Sequence, residues 1–202
     1  ESIEEVIQTL GNGQLVVFPT QNVYGILADG HNRDAVEAVY ALKGRNQAKA
    51  VGFVTNKKKA PQYGEFGPEA RRLLELWPRA ISLVVPRRPA VPDFIATGFP
   101  SVLLVCPDRY CHRLADAAAF PIVCTSANRS GEPAAINAEQ AWTAFQGLVP
   151  LIVDGGESSL KEHGTIVDFS AKPPRILRQG AFPVSALKEL VPTLGAGSSA
   201  GT

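Results

Sequence analysis

The chain has 202 residues, 45% of them hydrophobic, which is enough for one sizeable buried core or two small ones. A formal net charge of +1 excludes a polybasic wrap around nucleic acid and leaves any phosphate contact to local clusters. No apolar run reaches the roughly 18 residues that a membrane span needs, and Glu1-Ser2-Ile3-Glu4-Glu5 has no apolar signal core, so a cytoplasmic protein with no membrane partner is expected. Ile3, Val6, Ile7 and Leu10 fall at helical spacing behind Ser2, a ready N-cap, so the first helix is expected over 2–10. A strand follows at 15–18, a helix at 34–42 and a strand at 50–54. Next come a helix at 68–76, strands at 81–85 and 102–105, a helix at 111–118 and a strand at 122–124. Asn137 caps a helix reaching Phe145, strands are expected at 151–154, 165–168 and 175–177, and a short helix closes the series at 184–190.

Interleaved helices and strands imply α/β layering. Short helix-free connections in the second half favour a mixed sheet over a purely parallel one. One α/β domain over 1–190 is therefore expected, a twisted mixed β-sheet flanked by helices, with a flexible tail over 191–202. Cys106, Cys111 and Cys124 show no CxxC spacing and no histidine at ligand spacing, so they read as reduced thiols and no metal site is assigned. His31, His112 and His163 are isolated and receive no catalytic role.

Four pieces carry chemistry. Thr125-Ser126-Ala127-Asn128-Arg129-Ser130-Gly131 leaves an apolar run, and such a strand exit suits phosphate or ribose oxygens as well as an ordinary turn. Thr20-Gln21-Asn22-Val23-Tyr24-Gly25 follows another apolar run. Lys43 and Arg45 end a helix, where cations complement the helix dipole. Joined by Lys49 and by Arg178 of Arg175-Ile176-Leu177-Arg178, they could instead form a cationic cup for a polyphosphate. Gly164-Thr165-Ile166-Val167-Asp168 is the fourth piece.

In this order the pieces resemble the YrdC/TsaC family of threonylcarbamoyl-adenylate synthases, from about Leu10 to about Phe182. The resemblance implies a YrdC-like fold with a concave basic nucleotide-binding face. It implies an enzyme that uses ATP, Mg²⁺ and bicarbonate: the carbamate of an amino acid attacks the α-phosphorus and expels pyrophosphate. Lys43 and Arg45 would be catalytic, and Lys43, Arg45, Lys49, Ser101, Ser126, Asn128 and Arg178 would hold the nucleotide. Thr20, Asn22, Tyr24, Val105, Cys124, Gly164 and Thr165 would form the acceptor pocket. A TsaD-type transferase and tRNA are the implied downstream partners.

The acceptor side departs from the family pattern. Asn22 stands for a Thr and Gly164 for a Ser; elsewhere Arg79 stands for a Gly after Trp77-Pro78, and Asn46 and Ala50 for prolines around the Lys43–Arg45 loop. Val105 stands for an Arg that pairs with the amino-acid carboxylate, a loss of about 2–5 kcal/mol if nothing replaces it. Either Arg109 or Arg113 reaches the carboxylate, or the chain is a paralogue with another acceptor, as in HypF-type proteins that handle carbamoyl-adenylate. A third reading is an RNA-binding module using Lys57-Lys58-Lys59, Arg71-Arg72 and Arg87-Arg88.

Overall fold

The computed structural model describes residues 2–44, 51–95 and 98–195. Its strands are β1 (Val16–Phe18), β2 (Gly25–Asp29), β3 (Gly52–Val54), β4 (Ile81–Pro86), β5 (Ser101–Val105), β6 (Ile122–Ser126), β7 (Leu151–Ile152), β8 (Thr165–Asp168) and β9 (Arg175–Arg178). They form one nine-stranded sheet in the order β7-β1-β2-β6-β3-β5-β4-β8-β9. The pairs β1–β7, β3–β5 and β4–β8 are parallel and the other pairs antiparallel, which is the mixed sheet expected.

The helices are α1 (Ile3–Gly11), α2 (Arg33–Lys43), α3 (Ala60–Tyr63), α4 (Pro68–Leu74), α5 (Arg109–Ala117), α6 (Ala138–Phe145) and α7 (Val184–Leu190). Polar caps start four of them: Ser2, Asn32, Asp108 and Asn137 each accept from backbone N–H groups of the first turn. α2 stops at Gly44, whose φ of 63° suits a residue without Cβ, and this leaves Lys43 in the last turn. No helix among the described residues is long and apolar enough to cross a membrane.

Side chains alternate across each strand, so the sheet has two unlike faces. Val17, Ile26, Phe53, Leu83, Leu104, Val123 and Val167 join the larger core with Val36 and Val39 of α2, Leu73 of α4, Phe145 of α6 and Leu187 of α7. Val16, Phe18, Leu27, Val54 and Ile122 point the other way, onto Val6 and Leu10 of α1 and Cys111 and Leu114 of α5. Burying each large apolar side chain contributes about 1.5–3 kcal/mol, so both layers hold firmly. α1 and α5 cover only part of the second face. The uncovered part carries Gly25, Gly52, Ser82, Leu103, Cys124 and Ser126, and there the functional cavity opens.

Three expectations are corrected. β2 and α3 were not foreseen, and β2 lies between β1 and β6 inside the sheet. β6 runs two residues further than expected, so Thr125 and Ser126 belong to the strand itself. The tail does not begin at residue 191. Val191 is fully buried, Thr193 donates to Glu69, and the Gly195 N–H donates to the Pro174 carbonyl at 2.8 Å.

Candidate functional site

A cavity of about 330 Å³ lies over the uncovered face. Its floor follows from the strand register. One row across the sheet holds Val54, Val105, Ser82, Ile166 and Arg178, each opposite the next. The adjacent row holds Leu27, Cys124, Gly52 and Leu103. Beyond it, Ser126 pairs with Gly25. Gly52 keeps the floor low, because a Cβ there would sit 3.3 Å from Leu103 Cδ2 and 3.4 Å from Cys124 Sγ. Burial pushes the Cys124 thiol up to about 12, so it serves as an apolar floor group and not as a nucleophile.

One rim of the cavity is built by the turn after β1. Thr20 Oγ1 donates to the Val23 carbonyl at 2.8 Å and accepts from the Asn22 and Val23 N–H groups. The Gln21 N–H donates to Asp108 Oδ2 at 2.8 Å, which ties this turn to the cap of α5. Asn22 is 5% exposed; its Nδ2 donates to the Glu162 carbonyl at 2.8 Å, while its buried Oδ1 has no partner among the described residues. Tyr24 lines the cavity, yet its ring is fully buried and its hydroxyl is shared between Gly155 and Gly156. Thr165 does not line it: Oγ1 donates to the Phe182 carbonyl and accepts from the Gly180 N–H. Tyr24 and Thr165 therefore brace the pocket instead of facing an acceptor.

At the other end stands the Ser–Asn turn. Lys43, 2% exposed, donates from Nζ to the Ser126 carbonyl and to Asn128 Oδ1, both at 2.7 Å. Ser126 Oγ donates to the same Asn128 oxygen at 2.6 Å. Lys43 thus lies behind Ser126 and outside the cavity lining. A buried ammonium raises the local potential for an anion. Arg178 enters from β9, with Nε and Nη2 donating to the Gly164 carbonyl. Ser101 does not line the cavity. Arg45 and Lys49 lie outside the described residues.

Several lining residues were not among the expected site residues: Arg79, Ser82, Leu103, Ile166 and His163. The three strand residues are visible in retrospect as the outward members of alternating strands. His163 has no local signal, and Arg79 shows in the sequence only as a departure from the family's Gly. Burial, then the charges of Arg178 and Lys43, hold the His163 imidazole below its ordinary value of 6.5. The unfolded chain therefore binds the extra proton first as pH falls, so this contribution to stability is complete above about 6.5 and is lost on acidification through it. Replacing His163 with Gln is expected to flatten the fall in urea-unfolding stability between about pH 7.5 and 5.5. An unchanged slope would show that His163 does not titrate this way.

A larger cavity, about 540 Å³, lies beyond the 20–21 turn, lined by Ser2, Glu4, Arg113 and Asp154 among others. Of the expected site residues only Thr20 borders it, so it is not the candidate site. The basic runs on the surface are largely engaged within the protein. Lys57 pairs with Glu75 at 3.2 Å and Arg87 with Asp93 at 2.7 Å. Lys59 donates to carbonyls at the end of α5, and Arg71, Arg72 and Arg88 donate to the carbonyls of Phe66, Leu190 and Gly64.

The fold and site define an α/β domain in which a cation-backed Ser–Asn turn and a polar rim face each other across one open sheet surface. The chain belongs to the Sua5/YciO/YrdC family, whose model, described as telomere recombination, matches residues 8–180. A relative from Mycobacterium leprae is 34% identical over 192 residues, covering 94% of this chain and 87% of its own. The threonylcarbamoyl-AMP synthase of Pyrococcus abyssi is 30% identical over 183 residues, 89% of this chain and 54% of the relative. The crystal structure of P. abyssi Sua5 complexed with L-threonine superposes with a TM-score of 0.89 at 28% identity, over 96% of this chain and 58% of that one. The chain thus spans about half the length of the archaeal protein and most of the mycobacterial one.

Proposed function

We propose that this chain makes a carbamoyl-adenylate: an amino acid combines with bicarbonate, and the carbamate attacks the α-phosphorus of ATP and expels pyrophosphate. The observation that carries this reading is the one cavity lined by Ser126, backed by Lys43, by Arg178 and by the Thr20–Asn22 turn. Such a layout holds a phosphate chain and a small acceptor within reach of each other. The relatives named as threonylcarbamoyl-AMP synthases support L-threonine as the acceptor.

The chemistry asked of the protein is positioning and charge stabilisation. Arg178 offers a fork to phosphate oxygens, Lys43 supplies a fixed positive charge behind Ser126, and Arg45 and Lys49 are proposed to complete the cup. Among the described residues no three His, Cys, Asp or Glu side chains gather as a metal site. The nucleotide is therefore proposed to enter as its magnesium complex, with phosphate oxygens and water as the main ligands. The adenylate would pass to a TsaD-type transferase acting on tRNA, in the cytoplasm.

Pyrophosphate release from ATP, bicarbonate and an L-amino acid, with AMP-level products followed by mass spectrometry, tests the proposal. Release that requires all three reactants is the expected result. ATP binding without pyrophosphate release for any amino acid would overturn it.

A further inference from the structure

We infer that Arg79 is the carboxylate-recognising residue of the acceptor end, so that this pocket takes an α-amino acid through a guanidinium on its rim. The inference rests on the proposed function, which puts an amino-acid carbamate in the cavity. The floor of that end is Val54, Val105 and Ile166, none of which can pair with a carboxylate. Arg178 enters the same row opposite Ile166, but its guanidinium is already held by two hydrogen bonds to the Gly164 carbonyl. Among the described residues, Arg79 is the remaining arginine that lines the cavity. It is exposed and makes no ion pair with a described residue, so its fork is available. Arg109 is stacked on Tyr110, with Nη2 donating to the Tyr110 hydroxyl at 3.1 Å, and Arg113 lines the other cavity.

Backbone contacts explain how residue 79 reaches this rim. Its N–H donates to the Cys106 carbonyl at 2.9 Å, next to Val105. The following residue, Ala80, accepts from the Thr165 N–H at 2.9 Å. This approach needs Gly164, because a Cβ there would lie 3.0 Å from the Ala80 oxygen. The missing side chain at 164, the missing charge at 105 and the added charge at 79 thus meet in one place. Asn22 supplies the second point of recognition. It lines the same rim, and a turn of its buried, partnerless Oδ1 toward the cavity would let it accept the N–H that remains on the amino acid after carbamate formation.

The test is calorimetric binding and pyrophosphate release with a panel of L-amino acids, L-threonine included, each paired with its carboxamide. Wild type is expected to prefer at least one acid over its amide by about 10- to 100-fold, the scale of a charge-assisted pair. Arg79→Ala should abolish that preference, Arg79→Lys should keep part of it, and adding Val105→Arg to Arg79→Ala should restore it. A preference that survives in Arg79→Ala, or a wild type that binds acids and amides alike, overturns the inference. The proposed function fails on a separate readout, the absence of pyrophosphate from wild type, and the binding arms still decide Arg79 in that case.

Discussion

Lys43→Met is expected to weaken ATP binding about 100-fold, near 2.7 kcal/mol, with the chain still folded. Methionine has a similar length and no charge. Burying an ammonium costs several kcal/mol, and that burden disappears in the variant. Against it stand the lost bonds to the Ser126 carbonyl and Asn128 Oδ1, both 2.7 Å long, at about 1.5–3 kcal/mol for charged hydrogen bonds. The two nearly offset, so the melting temperature should move little. Nucleotide binding has no such offset, because the positive charge behind Ser126 is simply gone. Calorimetry with ATP and a thermal melt on the same samples separate the two effects. Unchanged ATP affinity would mean that Lys43 only ties the turn to α2.

Gly180→Ala is expected to lose about 3 kcal/mol or more, the upper end for an overpacked site. An added Cβ would lie 2.1 Å from the His163 carbonyl oxygen and 2.7 Å from the Gly164 carbonyl carbon. Both obstacles are backbone. They are held by the Ala181 N–H donating to His163 at 2.9 Å and by the Gly180 N–H donating to Thr165 Oγ1 at 2.9 Å. The variant must therefore part the exit of β9 from the entry of β8. Arg178 and His163 sit on those two segments, so ATP affinity should fall along with stability. Urea unfolding that matches wild type would refute the expectation.

Local rules made much of this chain legible. Ser2 and Asn137 announce their helices because an N-cap acts over three residues. β8 at Thr165–Asp168 and α7 at Val184–Leu190 fall where short-range patterns put them. The Ser126–Asn128 turn carries its chemistry in adjacent residues, and its tie to Lys43 accords with the reading of both as one site. β2 was hidden because it is buried almost throughout, so it shows no polar–apolar alternation. The RNA reading rested on runs of cations whose carbonyl and carboxylate partners are distant in sequence, such as Lys59 with Ala118 and Arg72 with Leu190.

The sequence by itself determined the layered α/β class, most element positions and the residue types of the Ser126–Asn128 turn. Tertiary structure alone decided which side chains meet in the cavity. Simple alternation from Ile176 would turn Arg178 toward the large core. The register shift in β8–β9 pairs Ile176 with Val167 and Arg178 with Ile166, and this extra residue turns the guanidinium onto the cavity face. Arg79 is brought beside Val105 by one hydrogen bond to Cys106, and no pattern within a window of the chain encodes that contact. Secondary structure follows from forces acting over a few residues. The cavity rim follows from strand order and backbone close approach, which only the assembled sheet imposes.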